Sequence, residues 1–557
     1  MAPGQAKPAA EAAPDASMPA ASRIVQHPFW LAAAGVLLLG LLLKAALLAA
    51  DAFPFNADEA VVGLMARHIL AGHWPTFFYG QAYLGSLDAT IVAFAFTIIG
   101  ETVLAIRIVQ SVLFLGLLLT TMLLAREMGF TVIICSLAGL LLAVPSVNVT
   151  LYTTVSLGGY GEALLLGNLI LLATLILHRR PSPAWAYALW GALVGFGLWV
   201  FGLTLVYSVP SAVLLVADAI RRATRRQAAL RLVAALAGAL VGVFPMVLWG
   251  VANGPGTLLR ELLGSAIAGA SPSQLSSAVV SHLANFVLFG PTVALGVRPP
   301  WGISPLGMPL TPVVAVLWIA AIGIGLRRAS WPAGGLAGRN LLLSTALTLF
   351  LGFLLTPFGA DPSGRYFLPL AVPLAIVASA GVDRARVIIG RPWPLALAGV
   401  VLAFNLWTTV QAATHAPGLT TQFDAATLYD RSFDPDLVDF LLEREETSGY
   451  TTYWVAYPLA FLSQERLVYL PHLPYHSDFR YTSRDDRYAP YRAVVAAASR
   501  PAYITARQPW LDTYLRETLK ARGVGFEETT IGDYRVFHTL TEPVRPEDLG
   551  LGPEASP

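Results

Sequence analysis

The chain has 557 residues, 56% hydrophobic and only 13% charged, with 36 Lys and Arg against 34 Asp and Glu. Soluble globular chains carry about a quarter charged residues, so this composition excludes an ordinary water-soluble protein, and the absence of a basic tract excludes a nucleic-acid binder. The single cysteine, Cys135, lies in an apolar run and reads as a small buried hydrophobe, which rules out an internal disulfide or a thiolate zinc site.

Residues 1–27 are rich in Ala and Pro, lack periodicity and read as a disordered N-terminus. The run at 29–50 is too long for a signal-peptide core and reads as a first span. Further spans are predicted at 103–124, 131–149, 160–177, 184–203, 204–219, 231–250, 311–326, 340–357, 366–382 and 394–411, because a helix of roughly 20 apolar residues satisfies its own backbone in lipid. One more run, 84–100, is short and contains Asp88.

Arginine placement decides whether that run crosses. Basic loops stay in the cytoplasm, and here they are His178-Arg179-Arg180, the arginines of 221–226, Arg327 and Arg328 with Arg339, and Arg384, Arg386 and Arg391. If 84–100 does not cross, all four share the side of the N-terminus; if it crosses, all four move outside. The first option predicts about eleven transmembrane helices over 28–411 and a cytoplasmic N-terminus, with 84–100 lying along or dipping into the outer interface. Outward loops are then 51–102, 150–159, 251–310, 358–365 and everything after 411.

Residues 412–557 alternate helix signals (434–446, 488–499, 509–522) with strand signals (451–456, 466–470, 501–506, 534–539). The expected fold class is a polytopic α-helical membrane protein with a C-terminal soluble α/β domain outside the cytoplasm. Abundant Ala, Gly and Pro beside only three lysines (Lys7, Lys44, Lys520) suggest a GC-rich bacterial genome, hence a bacterial inner membrane.

The first outward loop is the richest in candidate chemistry. Val62, Met65, Ile69 and Leu70 recur at helical spacing, predicting a short amphipathic helix on the membrane surface. Asn56 and Glu59 fit a capping box; Glu59 therefore has a structural reading beside a catalytic one. Asp58, in the same first turn, suits the helix dipole, and just outside the bilayer it could also take a proton from an attacking hydroxyl. A divalent cation held by Asp58 and Glu59 is a further option, although two acids are few ligands. Gln81 and Tyr83, with Tyr79 and two glycines, suit a cavity wall or an interfacial aromatic anchor. Tyr160 and Glu162 open a span at its outer end, and an acid in a membrane helix is a functional candidate, here for sugar hydroxyls or acceptor orientation. Arg365 and Tyr366 follow a tight turn at headgroup depth, where a guanidinium matches phosphate oxygens; a snorkelling side chain or a bridge to Asp361 are the alternatives. His282, His415, His472 and His476 show no metal-ligand spacing.

At these positions the sequence resembles the GT-C superfamily of membrane glycosyltransferases, in particular the family 39 and aminoarabinose-transferase-like group. The shared elements are Asp58-Glu59 followed by a non-spanning juxtamembrane helix, Gly158-Gly159-Tyr160-Gly161-Glu162, and Arg365-Tyr366-Phe367-Leu368-Pro369. The resemblance covers 28–411. It implies a polyprenyl-phosphate-linked sugar as donor, inversion at the anomeric carbon, a catalytic aspartate at Asp58 and a lipid-phosphate ligand at Arg365. The acceptor would be a lipid, a glycan or a protein. Where many relatives carry a Pro-Pro-Leu-like or Lys-Pro element, this chain has Gln81-Ala82-Tyr83-Leu84, so no lysine role transfers and Gln81 is a positional stand-in. The resemblance gives the C-terminal region no role; binding acceptor and covering the cavity are both open. A transporter or flippase of a lipid-linked or anionic substrate, and a non-catalytic scaffold, are the other readings; polar residues gathered at outer span ends favour the enzyme.

Overall fold

The computed structural model describes residues 27–264 and 275–554, so the segment read as disordered lies, apart from His27, outside the described residues. The chain opens with α1 (His27–Ala49), followed by α2 (Ala57–Leu70), the hairpin β1 (Phe77–Phe78) and β2 (Gln81–Gly85), and α3 (Leu87–Ile99). Helices α4 (Val103–Glu127), α5 (Val132–Ala143), α6 (Val147–Tyr152), α7 (Tyr160–Arg179), α8 (Ala184–Val200), α9 (Leu205–Arg222) and α10 (Arg225–Asn253) come next. Then follow α11 (Pro255–Gly264), α12 (Leu275–Ala294), α13 (Thr311–Gly325), α14 (Leu336–Leu355), a 3₁₀ turn over Arg365–Leu370, α15 (Ala371–Ile389) and α16 (Trp393–Thr414).

Among the described residues, eight helices are long and apolar enough to cross a membrane. Three predicted spans are shorter. The run 131–149 divides into α5 and α6 because Pro145 lacks the N–H a continuing helix needs and disfavours helical geometry at Val144; α8 and α13 have 17 and 15 residues. The stretch 251–310, expected as a loop, contains α11 and α12. Contacts hold α12 at one end of the bundle: His282 Nδ1 lies 3.1 Å from the Leu354 carbonyl, and Asn285 donates to the Gly359 carbonyl at 2.9 Å.

The basic loops converge at the opposite end. Arg180 pairs with Glu127 at 2.9 Å, Arg222 donates to the His178 carbonyl at 3.3 Å, and Arg179 reaches the Gly334 carbonyl. The arginines of these loops thus mark one end of the bundle, whereas the first loop, the turn before Arg365 and the C-terminal region meet at the other.

The C-terminal region is an α/β unit. Its elements are α17 (Asp434–Glu443), β3 (Ser448–Tyr450), α18 (Tyr453–Leu462), β4 (Val468–Leu470), β5 (Arg480–Tyr481), α19 (Pro490–Ala496), β6 (Ala502–Ala506), α20 (Pro509–Ala521), β7 (Glu527–Ile531), β8 (Tyr534–His538) and β9 (Gly552–Pro553). The main sheet has the order β4-β3-β6-β8-β7, parallel across β4-β3-β6 and antiparallel beyond. Two expectations fail here. The β-branched and aromatic run 451–456, read as a strand, enters α18, since packing outranks intrinsic strand preference. The edge strand β7 was missed because its Glu-Glu-Thr-Thr-Ile sequence is the charged kind that blunts an exposed edge.

Helix α2 departs most from expectation. Its sequence predicts a short amphipathic helix lying on the membrane surface, yet Ala57, Glu59 to Ala66, His68 and Ile69 are all buried. The α/β unit covers its outer face: Phe461 of α18 lies on Gly63, and His68 contacts Tyr79 Oη at 2.8 Å and Glu465 Oε1 at 3.0 Å. On its inner face Glu59, 0% exposed, accepts two bonds from Arg107 of α4, Nε and Nη2 each at 3.0 Å. Removing one partner of a buried, bidentate pair leaves the other charged and unsolvated, at a cost of about 3–5 kcal/mol. Arg107→Ala should therefore lower the melting temperature of the purified protein in detergent sharply, with the Arg107→Ala, Glu59→Ala pair losing less than the sum of the single changes. Additive losses would show that the two side chains do not act together.

Candidate active site

The site begins at the first turn of α2. Asn56 is extended (φ −119°, ψ 167°) and its side chain accepts from the Glu59 backbone N–H at 3.0 Å, which starts the helix at Ala57. Neighbouring helical residues point about 100° apart. Glu59 consequently turns inward to Arg107 while Asp58 turns toward the α/β unit, where Tyr453 Oη donates to its Oδ1 at 2.5 Å. The expected pairing of Asp58 and Glu59 at one catalytic centre, or on one cation, is corrected by this divergence: both Glu59 oxygens are occupied by Arg107. Among the described residues, no group of three or more His, Cys, Asp and Glu could hold a metal ion.

Hairpin β1–β2 supplies the next wall. Trp199 donates to the Thr76 carbonyl at 3.1 Å and Leu84 bridges Phe201, which fixes the hairpin against the end of α8. Strand alternation sends Gln81 and Tyr83 to one face and Ala82 and Leu84 to the other. With its amide assigned so that the oxygen faces Arg487, Gln81 accepts from Arg487 Nη1 and Nη2 at 2.6 and 2.8 Å and donates to Tyr83 Oη at 3.2 Å.

Asp58, Gln81, Tyr83, Tyr160 and Arg365 line one cavity of about 340 Å³, closed by Tyr453, Trp454, Arg484, Asp485 and Arg487 of the α/β unit. A second cavity of about 310 Å³ shares Asp58, Leu157, Arg365 and Trp454 and adds Tyr152, Asp361 and Gln422. A third, of about 700 Å³, lies beyond Gln422 and Thr427, between the first loop and the α/β unit. The Asp361 carboxylate accepts from the Ser363 backbone at 2.7 Å and from Arg365 Nε at 2.5 Å, so the predicted bridge is present, yet the Arg365 side chain stays 34% exposed.

Tyr366 and Glu162 are placed elsewhere. Tyr366 is buried against Phe358, with the Arg365 guanidinium carbon 5.2 Å from its ring centre, and it does not line the cavity. Glu162, read as an unpaired acid at a span's outer end, is 2% exposed and accepts from Gln110 Nε2 at 3.2 Å; that amide also donates to Asp88 Oδ1 at 3.0 Å, and Ser156 donates to Asp88 Oδ2. This network joins α3, α4 and α7 behind the site.

The α/β unit brings groups that sequence reading passed over: Tyr453, Trp454, Arg484, Asp485 and Arg487. The only sequence signal was the charge density of Arg484-Asp485-Asp486-Arg487, which reads as a solvated loop. Burial pushes the Asp485 carboxyl up to about 6 although Arg487 and a 3.0 Å bond from Tyr475 Oη both favour its charged form. Burial likewise raises the Tyr453 hydroxyl, and the Asp58 charge adds to the effect.

No protein-family model matches the chain, and no curated protein matches it. Solved structures do match. The chain is similar to ArnT from Cupriavidus metallidurans, solved with bound undecaprenyl phosphate, at a TM-score of 0.56 and 14% identity over 94% of this chain and 99% of that one. It is also similar to the Archaeoglobus fulgidus oligosaccharyltransferase, at 0.51 and 13% over 90% of this chain and 74% of that one. For the arabinofuranosyltransferase AftD from Mycobacteria the values are 0.50 and 15%, over 92% and 41%. At these identities the likeness is one of fold.

The raised carboxyl predicts a pH signature. Asp485 binds its proton more tightly folded (about 6) than at its ordinary value of 3.8, so its contribution to stability is complete below about 4 and is lost as pH rises through about 6. Melting curves in detergent should show wild type losing more stability than Asp485→Asn between those values. Parallel curves would mean that Asp485 titrates normally.

Proposed function

We propose that this protein is an inverting glycosyltransferase, moving a sugar from a polyprenyl-phosphate carrier to a hydroxyl acceptor on the extracytoplasmic, periplasmic side of a bacterial inner membrane. The observation that carries the reading is that Asp58 and Arg365 line the same two adjoining cavities, in a fold found among lipid-phosphate-binding glycosyltransferases. The acceptor is a lipid, a glycan or a protein.

Asp58 Oδ2, left open by the Tyr453 bond to Oδ1, takes the proton of the acceptor hydroxyl as its oxygen attacks the anomeric carbon. The bond from that carbon to the phosphate oxygen breaks on the opposite face, inverting the centre, and its electron pair leaves with the polyprenyl phosphate. Arg365, oriented by Asp361, donates to the phosphate as its charge grows. Gln81, Tyr83 and Tyr160 supply polar and aromatic surface for the sugar. The second cavity, which Asp58 also lines, and the third, which adjoins it at Gln422 and Thr427, give an acceptor room to approach away from the hairpin. Polar groups gathered at one end of the bundle support this reading over a transporter, which needs them deep in several spans.

Asp58→Asn removes the base but keeps its shape, and should lower kcat for transfer from a polyprenyl-phosphate sugar by at least about 100-fold with little change in KM. Retained turnover would remove Asp58 from the reaction. Orientation has its own check: a reporter joined after Thr414 should be active only outside the cytoplasm, and cytoplasmic activity would invert the proposed topology.

A further inference from the structure

We propose that Arg487 of the α/β unit is a second ligand for the donor's phosphate, so that the anion site is built jointly by the membrane bundle and the C-terminal region. The inference deepens the donor reading above and rests on it.

The three arginines of the cavity are not equivalent. Arg365 is held by Asp361 at 2.5 Å, and Arg484 lies 3.4 Å from Glu261. Arg487, among the described residues, makes no ion pair within 4.0 Å; its guanidinium meets one acceptor, the neutral Gln81 carbonyl, and its Nε is enclosed without a partner. The two acids that share the cavity wall are engaged elsewhere, Asp58 Oδ1 by Tyr453 and Asp485 Oδ2 by Tyr475. A guanidinium has five N–H donors. Gln81 takes one from each Nη, leaving one on each for a ligand. A largely enclosed cation without a contacting carboxylate is costly unless an anion joins it, and the fork geometry suits phosphate oxygens.

The surroundings are shaped to hold this side chain. Its aliphatic part crosses the tip of the β1–β2 hairpin at Gly80, where φ is +70° and a Cβ would come within 2.9 Å of Arg487 Cδ. The Tyr453 ring lies 5.2 Å from the guanidinium carbon, and the Arg487 backbone N–H donates to Tyr457 Oη at 2.6 Å. Arg487 and Arg365 line the same cavity as Tyr83, Tyr160 and Asp58, so the two cations share one space. A sugar phosphate seated there would have an arginine from each part of the fold.

The test uses the full-length protein in detergent, with polyprenyl phosphate and the matching polyprenol as probes. Wild type should bind the phosphate far more tightly than the alcohol. Arg487→Gln should weaken phosphate binding by about 10- to 100-fold and leave alcohol binding unchanged, with Arg487→Lys recovering part of the loss. Gln81→Leu, which keeps the charge but removes its guide, should give a smaller loss and serves if Arg487→Gln does not fold. Phosphate affinity unchanged in Arg487→Gln and Gln81→Leu would overturn the inference, leaving Arg487 as a counter-charge for Asp58 and Asp485. A wild type that does not distinguish phosphate from alcohol would instead overturn the donor reading beneath it.

Discussion

The two carboxylates that start α2, adjacent in sequence, turn to different partners: Glu59 to Arg107 and Asp58 to Tyr453. About 100° separates them around the axis of α2, and the bidentate bond between Glu59 and Arg107 settles which of them faces inward. That anchoring fixes the rotation of α2, and the rotation aims Asp58 into the cavity. Buried ion pairs contribute little net stability once desolvation is counted; what this one supplies is register. Hairpin, 3₁₀ turn and α/β unit are then arranged around a helix whose angular setting is already determined.

The α/β unit is a wall of the cavity. Tyr453 touches Asp58, Arg487 reaches Gln81, and Glu465 contacts His68 of α2 at 3.0 Å. These bonds cross between the unit and the first loop, and Phe461 packs on both Gly63 and Phe96. The unit is thereby tied to the juxtamembrane helices over a broad face. Behind them, Lys44 of α1 donates to the Thr150 carbonyl at 3.0 Å and to Thr153 Oγ1 at 2.8 Å, which steadies α6 and so Tyr152 at the floor of the second cavity.

Much of the architecture was legible in the sequence because lipid imposes a simple rule. Long apolar runs and arginine-rich loops located the helices and sorted their ends, and the short run with Asp88 became α3. Gln81, Tyr83, Tyr160 and Arg365 could be singled out since polar groups beside apolar runs have few innocent explanations. The failures share a cause: they depend on partners distant in the chain. Nothing local reveals that Arg107 claims Glu59, that Gln110 claims Glu162, or that α18 buries the outer face of α2. The strand-like run at 451–456 became helix for the same reason, and Arg487 sat within a charged stretch whose natural reading was exposure to water.

Asp58 and the tyrosine that touches it are 395 positions apart. During synthesis the acidic loop and the neighbouring membrane helices precede the residues that complete their cavity by most of the chain's length. Until the C-terminal region has folded and docked, Asp58 and Arg365 have no opposing wall. The cavity is therefore a product of the whole chain: it exists only once the C-terminal region has folded against the bundle, and a shortened chain would keep Asp58 and Arg365 without the surface that encloses them.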